Sequence, residues 1–130
     1  MEKRKNLFTS ESVSEGHPDK LCDRIADAIL DARLAKSPSS RTAVEVRATR
    51  ERIIISGEVS SDVSVDYEKI ARDVVREIGY TTPESGIGAD TRKVEVYIDQ
   101  QSPDIAQGVN SSLDLHEIGA GDQGIRFGYA

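Results

Sequence analysis

The sequence has 130 residues, with 17 basic and 23 acidic side chains, a formal net charge of −6 and a pI near 4.9. This length favours a single domain. An acidic chain repels phosphodiester backbones, which argues against a nucleic-acid partner. No apolar stretch approaches the roughly 18 residues that a membrane span needs, and the start is too charged for a secretory leader. We therefore expect a cytoplasmic protein with no membrane partner.

The first predicted elements are a short strand and a long helix. Leu7–Ser10 alternates apolar and polar residues, which indicates a strand. Residues 18–36 predict an amphipathic helix, and Pro18 suits its first turn. The single cysteine, Cys22, falls among the apolar helix positions, which favours a packed thiol over a reactive one. The apolar face of this helix consists of Leu21, Ile25, Ala28, Ile29 and Ala32.

Two strands, a second helix and a last strand follow. Thr42–Thr49 alternates and Arg52–Ser60 follows after a short turn, so the pair predicts a β-hairpin. The second of these strands carries three consecutive isoleucines, which is typical of a central strand. Tyr67–Ile78 predicts a helix with Asp66 as its N-cap. Lys93–Asp99 alternates again and predicts the final strand.

The element order is therefore β-α-β-β-α-β, which predicts an α+β fold of the ferredoxin-like kind, with both helices on one face of the sheet. We expect residues 1–100 to form this domain. Residues 101–130 predict a long glycine-containing loop that leads into a remainder lying beyond the sequence. A loop of this length in a small domain is usually functional or disordered.

The run from Gly16 to Lys20 places an imidazole, His17, and a carboxylate, Asp19, at the start of a helix, where anions are favoured. Such a group could grip a phosphate chain, with Asp19 holding a Mg²⁺ ion that bridges phosphate oxygens. The alternative is a surface histidine beside an acidic residue that interacts only with the helix dipole. Spacing alone leaves both interpretations open.

The other candidate patterns are weaker. Gly119–Gly124 fits the spacing G-x-G-x-x-G, but no helix is predicted after it, so it could equally be a turn. Asp122 in this segment would repel a bare phosphate and would more readily meet an amine, a ribose hydroxyl or a metal. Glu45 and Glu58 read alone as solvated strand residues. Asp27 and Asp31 fit a solvated helix face.

Three longer segments carry a family resemblance: Phe8–Lys20, Gln100–Gly108 and Gly119–Gly124. Together they resemble the N-terminal part of the S-adenosylmethionine synthetases (methionine adenosyltransferases), and the resemblance covers nearly the whole chain. It implies an enzyme that joins ATP and L-methionine with Mg²⁺ and K⁺, and that releases phosphate and pyrophosphate.

For the triphosphate and the metals, the resemblance implies four residues. His17 would be the catalytic, ATP-binding residue that contacts the triphosphate near the breaking C5′–O bond. Asp19 would be a Mg²⁺ ligand, and Glu11 a second contact to Mg²⁺. Glu45 would correspond to the carboxylate associated with K⁺.

For the substrates, the resemblance implies that Glu58 and Gln101 bind methionine. Asp122 would belong to the ATP site, facing the adenosine or the methionine amino group. Residues 101–113 would form a loop that gates the site. None of these roles follows from spacing.

The resemblance also implies that the chain acts as part of something larger. Family members are about three times as long, form their site between two subunits, and carry their remaining triphosphate-binding residues after this point. We therefore expect a homodimer or a dimer of dimers at full length, and no turnover by the 130 residues alone. The alternative is a non-catalytic module that binds a nucleotide or small molecule, or that serves assembly.

Overall fold

The computed structural model describes residues 6–60, 63–81 and 88–101, and it confirms the α+β class. Two helices and a three-stranded sheet follow one another in the order α-β-β-α-β. The predicted bounds hold to within two residues. The elements are α1 (Pro18–Leu34), β1 (Thr42–Ala48), β2 (Arg52–Val59), α2 (Tyr67–Glu77) and β3 (Lys93–Gln100).

The strand predicted for Leu7–Ser10 is wrong. These residues belong to no strand, and the side chains of Leu7 and Phe8 are 92% and 95% exposed. Alternation creates a strand only where a neighbouring strand accepts its backbone hydrogen bonds, and none of the described strands pairs with this segment. In the ferredoxin-like order a further strand separates the two parallel strands, whereas here β3 pairs directly with β2. The sheet is therefore not ferredoxin-like.

The sheet has the order β1-β2-β3, so the isoleucine-rich β2 is central, as predicted. β1 and β2 form the predicted antiparallel hairpin, in which Val46 lies opposite Ile55. β2 and β3 are parallel, and Ile55 lies opposite Val96. Because side chains alternate along a strand, this register places Val46, Ile55 and Val96 on one face of the sheet.

Both helices cover that one face. Leu21, Ile25 and Ile29 of α1 and Val75 of α2 are almost completely buried, in one cluster with the isoleucines of β2. Burial of such side chains contributes about 1.5–3 kcal/mol each, which makes this layer the main source of stability. The core consists of Leu21, Ile25, Ile29, Ile53, Ile55, Ala71, Val74, Val75 and Ala89.

The predicted N-cap of α2 is confirmed. Asp66 caps α2 by accepting a 3.0 Å hydrogen bond from the Lys69 amide. After the C-terminal end of α2, Gly79 has a positive φ of 99°.

Cys22 on α1 is half-buried, and burial raises the pKa of its thiol. Neither of the two helices that the structure describes is long and apolar enough to cross a membrane.

Candidate active site

His17 is the N-cap of α1. Its backbone is extended, with φ −65° and ψ 138°, and its amide donates a 3.0 Å hydrogen bond to the Ser14 carbonyl. The side chain turns back so that Nδ1 accepts a 3.2 Å hydrogen bond from the Asp19 amide. An imidazole nitrogen that accepts a bond carries no proton, so in neutral His17 the proton lies on Nε2. The cap therefore leaves one N–H donor of His17 available for a ligand.

Asp19 lies in the first turn of α1, next to the imidazole of His17. Its side chain is 81% exposed, and its carboxylate lies 3.9 Å from Nδ1 of His17. The helix dipole favours a negative charge there. An exposed carboxylate fits Mg²⁺, an ion that binds one or two carboxylates and takes its other ligands from water and phosphate.

The described residues contain no group of three or more His, Cys, Asp or Glu side chains that could hold a metal. Glu11 is exposed in the segment before α1, and it forms no such group with Asp19. A Mg²⁺ ion here would need its remaining ligands from elsewhere, for which phosphate oxygens are suited.

Glu45, Glu58 and Gln101 lie together on the sheet face that no described helix covers. The register places Glu45 of β1 beside Ser56 of β2. Glu58 is half-buried. Gln101 continues β3, and its amide donates a 3.0 Å hydrogen bond to the Val59 carbonyl. Three residues that the resemblance linked to K⁺ and methionine thus share one surface, which we call the open sheet face.

Two further residues of the open sheet face escaped the sequence analysis. Asp99 lies opposite Glu58, and Tyr97 lies opposite Ser56. The alternation of β3 predicts that Tyr97, Asp99 and Gln101 point to the same face, since successive members of this set are two residues apart. The register of β3 against β2 is needed to show that this set lies beside Glu58. The register therefore places the carboxylates of Glu45, Glu58 and Asp99 towards one end of this face.

The other end of the open sheet face is an ion-pair cluster. Glu95 accepts a 2.7 Å hydrogen bond from Arg52 and lies 2.9 Å from Nζ of Lys93. The hydrogen bond from Lys93, and the charges of Lys93 and Arg52, hold the pKa of Glu95 below its usual value. The carboxylate at this end is therefore paired, whereas none of the ion pairs between described residues involves Glu45, Glu58 or Asp99.

The structure does not bring the two groups of candidate residues together. The start of α1 lies beside Ala48, which pairs with Ile53 of β2. Glu58 is five residues further along β2, which corresponds to about 17 Å at 3.3 Å per residue. His17 and Asp19 also belong to the helix layer, whereas Glu58 points to the other face. Asp122 and most of residues 101–130 lie outside the described residues.

Comparison with known proteins identifies the family. Residues 5–103 match the family model "S-adenosylmethionine synthetase, N-terminal domain". The chain is 57% identical over 126 residues to S-adenosylmethionine synthase of Mesoplasma florum, a match that covers 97% of this chain and 33% of that protein. The enzyme of the same name from Mycoplasma capricolum subsp. capricolum is also 57% identical over 126 residues, or 97% of this chain and 32% of that protein. The chain thus spans about a third of the length of these relatives. It belongs to the S-adenosylmethionine synthetase family and corresponds to the N-terminal portion of its members.

Proposed function

We propose that this chain supplies the N-terminal part of a methionine adenosyltransferase, which forms S-adenosylmethionine from ATP and L-methionine and releases phosphate and pyrophosphate. The observation that carries the proposal is the arrangement of His17 and Asp19 at the start of α1. There, a capping His17 keeps its Nε2–H donor available beside the exposed carboxylate of Asp19. The names of the relatives support the same activity. We place the enzyme in the cytoplasm.

In the proposed reaction, a lone pair of the methionine sulfur attacks C5′ of ATP. The C5′–O bond breaks, its electrons pass to the triphosphate oxygen, and a sulfonium and a free triphosphate form. Water then hydrolyses the triphosphate to phosphate and pyrophosphate. Because the sulfur is already nucleophilic, no protein base is needed. His17 donates from Nε2 to the triphosphate oxygen on which charge develops, which stabilises the transition state. Mg²⁺, with Asp19 as a ligand and Glu11 as a second contact, would neutralise triphosphate charge when bound.

We assign the open sheet face to methionine and K⁺. Glu58 and Gln101 bind methionine, and the carboxylate of Glu58 suits its ammonium group. Glu45 would be the carboxylate associated with a bound K⁺ ion. Asp122 contacts the adenosine or the amino group of methionine, and residues 101–113 form the gating loop. The carboxylates of Glu45, Glu58 and Asp99 support a cationic occupant at their end of this face, since they attract positive charge. Arg47, two residues from Glu45 on β1, offsets part of that negative charge.

The separation of the two groups supports a site that two copies of the chain complete. Sulfur and C5′ must approach to about 3–3.5 Å before reaction. Within one copy, the sheet stands between His17 and Glu58, and about 17 Å of β2 separates them. A homodimer, or a dimer of such dimers, would place the α1 start of one copy against the open sheet face of the other.

A chimera tests the proposal. The chain replaces the matching third of the Mesoplasma florum enzyme, and S-adenosylmethionine formation is measured with Mg²⁺ and K⁺. We expect turnover by the chimera, none by the 130 residues alone, and a loss of at least about 100-fold in kcat with His17→Ala. A chimera that binds ATP, assembles normally and yet forms no product would support a non-catalytic binding or assembly module instead.

A further inference from the structure

A cavity of about 390 Å³ lies between the start of α1 and one end of the sheet. The side chain of His17 does not line it, although its two sequence neighbours do. Most of the wall is apolar, and among the described lining residues none is acidic. The lining residues are Gly16, Pro18, Leu21, Ala48, Thr49, Arg50, Tyr80 and Arg92.

Arg92 is the unusual member of this wall, because only 6% of it is exposed. Its Nε and Nη1 atoms are buried and have no hydrogen-bond partner. The guanidinium carbon lies 6.0 Å from the centre of the Tyr80 ring, which offsets a small part of the cost of burying a charge. Burial lowers the pKa of Arg92. A buried arginine normally pairs with a carboxylate or phosphate, since an unpaired one costs several kcal/mol.

Tyr80 and Gly16 form another part of the cavity wall and are joined by a hydrogen bond. The Tyr80 hydroxyl donates a 3.1 Å hydrogen bond to the Gly16 carbonyl, so its polar group is already satisfied and its ring is left as an apolar surface. Arg50 is exposed at the same cavity and adds a second positive charge. An occupant would therefore meet the guanidinium of Arg50, the small exposed part of Arg92, and an aliphatic and aromatic wall.

We propose that this cavity binds a small monocarboxylate with an apolar body, whose carboxylate accepts hydrogen bonds from Arg92. Guanidinium groups bind carboxylates strongly because charge and donor geometry both match. The volume suits a body of a few carbon atoms packed on Leu21 and Tyr80. This ligand is distinct from the methionine that we assign to Glu58 and Gln101, which lie at the other end of the sheet and on its other face.

The test titrates the purified 130-residue chain with isocaproate (4-methylpentanoate) by calorimetry, and follows the Leu21 methyl signals by NMR. We expect one-to-one binding with a Kd of about 1 mM or tighter, given the small size of the probe, and shifts of the Leu21 signals. The uncharged 4-methylpentanamide should bind at least about tenfold more weakly, because it lacks the charge that Arg92 matches.

Variants locate the interaction. Arg92→Met keeps a similar apolar volume and should weaken isocaproate binding at least about tenfold without lowering the melting temperature, because it removes an unpartnered buried charge. Arg50→Glu, an exposed change, should also weaken binding. Arg47→Met, on the open sheet face, is the matched control and should leave binding unchanged. Equal binding of acid and amide, or undiminished binding by Arg92→Met and Arg50→Glu, would overturn the proposal.

Discussion

Tyr80 fixes the residue that precedes His17, through the 3.1 Å hydrogen bond that its hydroxyl donates to the Gly16 carbonyl. This contact joins the segment after α2 to the start of α1, 64 residues earlier in the chain. The fit is tight, since a Cβ atom on Gly16 would collide with the Tyr80 hydroxyl oxygen. The position of the His17 cap therefore depends on a side chain far away in sequence.

Gly16→Ala should destabilise the chain by about 1–3 kcal/mol, because the new methyl group overpacks against Tyr80. Tyr80→Phe alone should cost about 0.5–1.5 kcal/mol for the lost hydrogen bond. In the double variant the colliding hydroxyl is absent, so the combined loss should be smaller than the sum. Urea unfolding of the four proteins measures this coupling, and strict additivity would contradict the steric explanation.

The buried side chain of Arg33 connects α1 to the segment after β2 by hydrogen bonds. It is completely buried and donates hydrogen bonds of 2.5 Å to the Ser60 carbonyl and 2.6 Å to the Val63 carbonyl. Arg33→Met should cost about 3–5 kcal/mol, because both carbonyls lose a charged donor. The matched control is Lys36→Met, since exposed Lys36 donates to the nearby Ser64 carbonyl and should cost about 1 kcal/mol or less. Similar losses in urea unfolding for the two variants would contradict this role of Arg33.

Gly57 precedes Glu58 on β2 and has a φ of 142°. A Cβ atom there would collide with the Ala43 carbonyl oxygen and lie 2.9 Å from Cα of Val44. Gly57→Ala should therefore cost about 3 kcal/mol or more, since backbone strain and a clash with β1 add together. Gly79→Ala is the control, because φ is positive but no atom lies within 4 Å, and it should cost about 1–2 kcal/mol. Equal costs would mean that contact with β1 is unimportant.

The sequence predicts the helices and the hairpin well because their signals are local. Apolar spacing, Pro18 and the Asp66 cap suffice to define α1 and α2. The Leu7–Ser10 strand fails because a strand depends on a partner. The sequence also does not predict the burial of Arg33 and Arg92, since charged side chains are normally exposed.

The candidate site was predicted from family resemblance and not from spacing. His17 and Asp19 are adjacent in sequence, so their proximity is local. The alignment of Glu58 with Asp99 depends on the register and parallel pairing of β3. The distance of Glu58 from His17 depends on where α1 packs along the β1–β2 hairpin. No periodicity within a strand contains that information.

Glu95 should make stability depend on pH. Its folded-state pKa is lowered, chiefly by the hydrogen bond from Lys93, so the ionised form is favoured by folding. This contribution is present above the unfolded pKa of about 4.3 and is lost as the pH falls through the lower folded value. Glu95→Gln should lower the urea midpoint at pH 7 and reduce its change between pH 7 and pH 3. A high salt concentration should weaken the effect in the parent chain, and an unchanged pH profile in the variant would refute the assignment.

His17 combines a structural and a catalytic role, and two substitutions can separate them. His17→Ala removes the cap and should cost about 1 kcal/mol of stability. His17→Ser restores a side-chain acceptor for the exposed amides of the first turn, so stability should return close to that of the parent. In the chimera with the Mesoplasma florum enzyme, however, serine is too short to replace the Nε2–H donor, and both variants should lose turnover to a similar degree. If His17→Ser regained activity along with stability, the contribution of His17 would lie in capping α1 and not in contacting the triphosphate.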